Sequence, residues 1–395
     1  MKEYDVAIVG GGPIGGHVAG KMAREGYNVA IFEEHEKIGE PLKCAGLITP
    51  RPLQLTNIPE KLVVQNKIKG ANIHSPSGHV LTIGGNKVHA FVIDRPKFDK
   101  EIIDKSIEDG AEVFLENKII SIKKQNNHVE LKTKQNNDIK CNLLIGADGP
   151  FSKTRESFKL PKPKEILNGV GAEITGTSLD PNFLEIFLGK NIAPGFFAWI
   201  IPTNEQGTKA RMGLCVNQDA PHPPNYYFSN FLKNKNIQPY LKNMDIIRKT
   251  GGAVPLGVLR RTTESNVMIV GDAAAQVKPT SGGGIYTGLL CADHCSSVAL
   301  EALQKNDFTN NILKKYNKLC NNEIGKELKL GMKFRKIYKK LTDEQLDKYI
   351  IKFQDKKITE TISLYGDIDY PSKLAKPLLK NLPSLIKFLP KIIKK

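Results

Sequence analysis

Residues 1–34 constrain the fold more tightly than any other stretch. Residues 4–9 (YDVAIV) form a short apolar run with β-branched side chains, which reads as a buried parallel strand. Gly10, Gly12 and Gly15 follow with GxGxxG spacing. The first permits a tight turn, the second lets backbone approach a pyrophosphate, and the third allows close packing of helix on strand. A helix over about residues 14–25 would aim its unpaired N-terminal amides at the phosphates. A second strand, residues 28–32, ends at Glu33 and Glu34, and Glu33 stands 18 residues past Gly15, where a carboxylate takes ribose hydroxyls. A lone GxGxxG equally suits a turn that binds nothing. Strand, turn, helix, strand and acid in register specify one half of a doubly wound dinucleotide fold. The acid disfavours a ribose 2′-phosphate but does not separate NAD from FAD.

A second segment does separate them. Residues 266–270 (NVMIV) read as another buried strand, which ends in Gly271 and Asp272. A carboxylate at a strand C-terminus can accept hydrogen bonds from a polyol chain such as ribityl. Gly282, Gly283 and Gly284 come next, and a helix starts near Ile285. Glycines ahead of a helix bring backbone amides close to a flat ring and favour the anion of a reduced flavin. The cofactor expected is FAD, with Asp272, Gly283, Gly284 and Ile285 on its ribityl and ring end.

With these motifs in place, the chain resembles the geranylgeranyl reductase family of FAD enzymes, within the wider p-hydroxybenzoate hydroxylase-like group. The likeness spans roughly residues 1–300. Residues 143–155 (LLIGADGPFSKTR) resemble the group's shared Asp-Gly motif, and residues 92–99 (VIDRPKFD) resemble the segment whose arginine, here Arg95, lies against FAD. Residues 41–46 (PLKCAG) resemble the family's cysteine-bearing loop beside the isoalloxazine, which implies cofactor contacts at Cys44, Ala45 and Gly46. The resemblance also implies a cofactor contact at Ile119. Residues 196–202 (FFAWIIP) resemble the aromatic YxWxFP substrate motif, with Phe197 in place of tyrosine, Ile201 in place of phenylalanine, and Trp199 and Pro202 kept. Phe197, Trp199 and Pro202 are therefore the expected substrate-binding residues. Ala275 stands where relatives often carry Gly or Arg.

The resemblance implies a fold class of α/β (α+β): a discontinuous Rossmann-like FAD domain, an antiparallel-sheet substrate domain and a helical C-terminal part. The expected boundaries are 1–70, 91–159 and 251–303 for the FAD domain, 71–90 and 160–250 for the substrate sheet, and 304–395 for the basic helical region. Period-two alternation and turn signals such as residues 76–78 (PSG) support the sheet. A substrate cavity belongs between that sheet and the ring, because ligand pockets favour domain interfaces.

Charge points to an anionic partner. Lys and Arg number 58 against 41 acids, a net +17, which suits phospholipid or nucleic acid. The chain carries no zinc-finger spacing, RNA-binding aromatic motif or helix-turn-helix pattern, so no nucleic-acid partner is expected. Residues 311–341 read as basic helical sequence. Residues 376–395 hold six lysines and no acid among Leu, Ile and Phe, a composition suited to a headgroup layer. Neither a leader nor a membrane-spanning run is evident, and the expectation is a cytoplasmic protein, peripheral on the inner face of the membrane. The six cysteines form no CxxC pair and no metal motif. A bridge from Cys320 to Cys291 or Cys295 stays open beside free thiols.

The function so implied is saturation of isoprenoid double bonds in a prenylated glycerophospholipid, by hydride from reduced FAD plus a proton. The proton would come from Cys44, Tyr286 or water, and the electrons from reduced ferredoxin or NAD(P)H. An FAD monooxygenase acting on an aromatic or polyene, and a flavoprotein passing electrons to membrane quinone, are the alternatives.

Overall fold

A computed structural model describes residues 1–374 together with Pro377 and Leu378; the rest of the lysine-rich tail, 376–395, lies outside the described residues. Its first strand, Lys2–Val9, pairs in parallel with Val29–Phe32 on one side and Asp138–Gly146 on the other. Glu112–Phe114 and Val267–Ile269 extend the parallel sheet at its two ends, and the antiparallel strands Thr263–Glu264, Val129–Thr133 and Ile119–Lys124 complete eight. Period-two alternation divides the strands between two layers. Val6 and Ile8 pack with Val18, Met22, Cys291 and Cys295 of the covering helices, while Ala7 and Val9 pack on the other face with Ile119 and Leu131.

The helix Pro13–Arg24 begins with proline in its first turn and ends with Lys21 and Arg24, a charge order that suits the helix dipole. It lies close against Arg95–Glu108: a Cβ at Gly16 would sit 2.7 Å from Ile103 Cδ1. The long helix Ile285–Lys305 packs on the same layer and carries the glycine loop at its N-terminus.

A second sheet of seven strands runs in the order Asp245–Leu256, Glu165–Thr175, Lys209–Asn217, Ala198–Pro202, Phe183–Phe187, Gly70–His74 and Val80–Gly84. It differs from the expected antiparallel sheet in one place. Phe183–Phe187 pairs in parallel with Gly70–His74, because the latter arrives from the chain's first excursion out of the FAD-binding part. The strand Asp245–Leu256 also continues past residue 250, the expected end of this sheet. One face is covered by Pro224–Leu232, through Tyr227, Phe228 and Phe231. The other face is turned to a cavity. A small sheet of Leu47–Ile48, Ala90–Ile93 and Val64–Ile68 joins the two parts.

Residues 311–341 are helical in large part, but their apolar side chains are already committed. Leu313, Tyr316, Cys320, Ile324 and Leu328 pack with the core of the first sheet. This segment offers lysines to solvent rather than an apolar face to acyl chains. Among the described residues no helix is long and apolar enough to cross a membrane.

Candidate functional site

The glycine turn closes by contact distances that only glycine permits. Gly10 holds φ 107°, and a Cβ there would lie 2.3 Å from the Ala147 carbonyl oxygen. A Cβ at Gly15 would lie 2.1 Å from the Gly10 carbonyl oxygen, so helix and turn touch through backbone alone. At Gly12 a Cβ would meet nothing within 4 Å, which leaves open space in front of the helix N-terminus for a phosphate. Glu33 is buried at the end of its strand; Oε2 accepts the Gly11 N–H at 2.7 Å, and Oε1 accepts the His35 N–H at 3.0 Å. Glu34, the other expected acid, is exposed and pairs with Lys118 at 2.6 Å. The turn therefore selects Glu33. Ile119 departs from expectation: its side chain is buried between the strands with Tyr4 and Phe32, so only its backbone is left to a ligand.

Arg95 and Asp272 are the next of the expected cofactor residues, and electrostatics couples them. Arg95 opens the helix Arg95–Glu108, whose N-cap Asp94 accepts the Lys97 N–H. Its guanidinium donates to Asp99 at 3.1 and 2.9 Å and lies within hydrogen-bonding reach of the Cys44 thiol. Asp272 follows the strand Val267–Ile269 and sits beneath Gly284, where a Cβ would come 2.9 Å from its Oδ1. Burial pushes this carboxyl up to about 6 against the opposing pull of Arg95. Among the described residues none donates a hydrogen bond to it. A half-buried carboxylate with no such donor fits the hydroxyls of a ribityl chain.

Beyond these residues lies a cavity of about 540 Å³ against the open face of the seven-stranded sheet, walled also by the small three-stranded sheet, within the range of small-molecule pockets. Its glycine rim is Gly282, Gly283 and Gly284, followed by Ile285 and Tyr286. Cys44 and Ala45 stand across from them, and Phe197, Trp199 and Ile201 line the apolar wall. Phe197 meets Trp199 edge-on, with ring centroids 6.2 Å apart, and stacks on Phe196 at 4.2 Å. Pro202 does not reach this wall. The alternation that turns Trp199 and Ile201 inward turns Ile200 to the covered face, and Pro202 instead accepts the Asn66 amide at 3.0 Å through its carbonyl.

Two groups of charged residues hold the cavity's shape, and neither belongs to a motif. Arg211 is buried and spends its donors on Glu173 at 3.1 Å, Gln65 at 2.9 Å, and the carbonyls of Ile93 at 2.8 Å and Ala45 at 3.2 Å. It thereby pins the loop of Cys44, Ala45 and Gly46; a Cβ at Gly46, which holds φ 72°, would lie 2.2 Å from its Nη1. At the other end, Arg51 pairs with Asp367 at 2.8 Å and Asp369 at 2.7 Å, and Lys278 pairs with Asp369 at 2.6 Å. Burial works against the charge on Asp367, yet Arg51 and the Asp369 N–H hold it well below the usual carboxylate range. Tyr286 shares a 2.8 Å hydrogen bond with the Tyr370 hydroxyl, and burial pushes its phenol well above the ordinary value. Such a phenol gives up a proton reluctantly, which weakens Tyr286 as an acid. All six cysteines are free thiols; Cys291 touches Cys320, and burial raises both Cys291 and Cys295.

These features agree with what the chain is similar to. Residues 3–322 match the FAD binding domain family. An uncharacterized protein of Methanocaldococcus jannaschii is 34% identical over 96% of both chains. A protein of the same organism named digeranylgeranylglycerophospholipid reductase is 31% identical over 98% of this chain and 97% of its own. The chain belongs to the geranylgeranyl reductase family of FAD enzymes. A solved geranylgeranyl bacteriochlorophyll reductase-like protein of Thermoplasma acidophilum superposes with a TM-score of 0.86 at 25% identity, covering 100% of each chain. The fold is that of the p-hydroxybenzoate hydroxylase-like group, the cofactor is FAD, and the protein is an FAD-dependent oxidoreductase.

Proposed function

We propose that this enzyme reduces isoprenoid carbon–carbon double bonds in a geranylgeranylated glycerophospholipid. The observation that carries the reading is the apolar cavity between Trp199 and the Gly282–Gly284 rim, in a chain whose relative is named for that activity. FAD, when bound and reduced, supplies hydride. Gly10, Gly12 and Gly15 hold its pyrophosphate, Glu33 its ribose, Asp272 its ribityl chain, and Arg95 the stretch between. Phe197 and Trp199 press the prenyl chain toward the glycine rim and exclude water. An isolated alkene has no carbonyl to polarise, so positive charge develops on carbon, and aromatic faces in a dry pocket stabilise it. Apolar burial of about 25 cal/mol per Å² fixes the chain and brings successive double bonds to the same place. Cys44, pinned through Arg211 and facing the cavity, is the better-placed proton source; Tyr286 is locked to Tyr370. Electrons come from reduced ferredoxin or NAD(P)H. The net charge of +17 supports docking at an anionic membrane face, from which the lipid is drawn.

The test is direct. The yellow protein is reduced with dithionite under anaerobic conditions, geranylgeranylated glycerophospholipid is added, and flavin absorbance and lipid mass are followed together. Reoxidation with a gain of two mass units per double bond is expected. Reoxidation only on admitting oxygen, with lipid mass unchanged or raised by an oxygen atom, overturns the reading in favour of a monooxygenase.

A further inference from the structure

One buried cation on the cavity wall takes no part in the steps above. Lys278 precedes the glycine rim, is 8% exposed, and lines the cavity. Its backbone is woven into the rim: its N–H donates to the Gly283 carbonyl at 3.1 Å, and its carbonyl accepts the Gly282 N–H at 2.9 Å. Its side chain folds back along the same loop, so that a Cβ at Gly283 would lie 3.1 Å from Cε and 3.4 Å from Nζ. The ammonium therefore stands against the backbone of the glycine rim. Its counter-ion comes from far along the chain. Asp369 accepts it at 2.6 Å, and also accepts Arg51 at 2.7 Å and the Thr49 hydroxyl at 2.6 Å. Asp369 lies in the segment before and within Pro371–Leu374 that lines the cavity's charged end. In that cluster Arg51, Lys278 and the largely exposed Lys373 pair with Asp367 and Asp369, and Glu327 accepts the neighbouring Ser372 N–H at 3.2 Å.

We propose that Lys278 sets the flavin's preference for its reduced form, and that Asp369 holds this effect in check. The inference rests on the placement of the flavin ring against Gly282–Gly284 given above. Oxidised FAD that takes up two electrons and one proton acquires a single negative charge, with no bond to the protein made or broken. A fixed ammonium close by in a poorly polarisable wall stabilises that charge and leaves the oxidised form nearly untouched. A carboxylate on the same ammonium does the reverse. Lys278 and Asp369 should thus move the flavin equilibrium in opposite directions, which a merely structural ion pair would not do.

The experiment is a reductive titration of the FAD-loaded enzyme without lipid, against a reference dye, in wild type and in Lys278→Met, Lys278→Arg and Asp369→Asn. Lys278→Met is expected to disfavour the reduced form at least tenfold relative to the oxidised, which for a two-electron couple is 29.6 mV. Lys278→Arg, which keeps the charge, should stay within threefold of wild type, and Asp369→Asn should favour the reduced form. Thermal melting accompanies each variant, and if Lys278→Met loses FAD, the direction of Asp369→Asn decides. An unchanged ratio in folded, yellow Lys278→Met overturns the proposal, as does Asp369→Asn moving with Lys278→Met or not at all. Absence of lipid mass gain in wild type would instead count against the lipid-reductase reading and leave this titration readable.

Discussion

The two halves of the site are built on opposite principles. The turn of Gly10, Gly12 and Gly15 is made of backbone, within six consecutive residues, and works because side chains are missing. The cavity is made of side chains from residues as far apart as Leu42 and Leu374, on the seven-stranded sheet, the small sheet and the segment that ends in Pro371–Leu374. Such a backbone site has almost no tolerance at Gly10 and Gly15, where an added Cβ collides with a carbonyl that cannot move. A side-chain site tolerates exchange and answers with altered preference. The cofactor half should therefore fail abruptly, and the substrate half by degrees.

Gly15→Ala tests the abrupt side with the largest effect. Its methyl would need to occupy space 2.1 Å from the Gly10 carbonyl oxygen, so strand and helix must part. The expected outcome is purified protein without yellow colour and a stability loss of about 3 kcal/mol in urea unfolding. Retention of FAD would break the comparison. Asp272→Asn comes next. A carboxyl raised to about 6 from 3.8 stays protonated in the native apoprotein while the unfolded chain has released its proton. Native apoprotein thus holds more protons over that window, and its stability falls as pH rises through it. The substitution should flatten this decline in a pH series of unfolding curves, and weaken FAD at least about tenfold at neutral pH through loss of a charge-assisted hydrogen bond. On the graded side, Trp199→Ala should leave FAD content unchanged and raise KM for a geranylgeranylated lipid about tenfold, equivalent to about 1.4 kcal/mol of lost apolar contact. Trp199→Phe should recover most of it. Loss of FAD from Trp199→Ala would show that the two halves are not separable. The smallest change is at Ala275, which is buried at φ 53°, a left-handed conformation that costs alanine about 1–2 kcal/mol and glycine little. Ala275→Gly relieves this but removes a buried methyl worth about 0.8 kcal/mol, so a stability shift below about 1 kcal/mol is expected.

The same contrast explains what could be read from sequence. Strand, glycine turn and acid lie consecutively, so the local pattern carries the geometry, and the Asp272 segment repeats that economy. Arg211, Lys278 and Asp369 had no such signature. Each is a single charged residue whose importance arises when a partner remote in sequence, Ala45 for Arg211, Asp369 for Lys278 and Arg51 for Asp369, is packed against it. Lys278 even lies within a segment that invites attention, but nothing local says that its side chain folds back rather than out. Pro202 departs for another reason: strand alternation sends its side chain away from the cavity wall, while Ile119 keeps only its backbone for a ligand. Residues 311–341 read only as basic helical sequence, because sequence shows their apolar residues but not the core that already covers them. Ala275 became interpretable only once its backbone angle was known.

The eight-stranded sheet takes neighbouring strands from Lys2–Val9, Asp138–Gly146 and Val267–Ile269. During synthesis the first of these leaves the ribosome long before its partners exist. The glycine turn must then wait, with Val6 and Ile8 covered only by Pro13–Arg24, until more than two thirds of the chain has been made and Ile285–Lys305 can close over them. Such long-range closure slows folding and lengthens the time that apolar strands stay open to wrong partners. Cofactor capture is consequently a late event in the life of the nascent chain, and scarcity of flavin should register first as aggregation of new protein rather than as a pool of soluble, colourless enzyme.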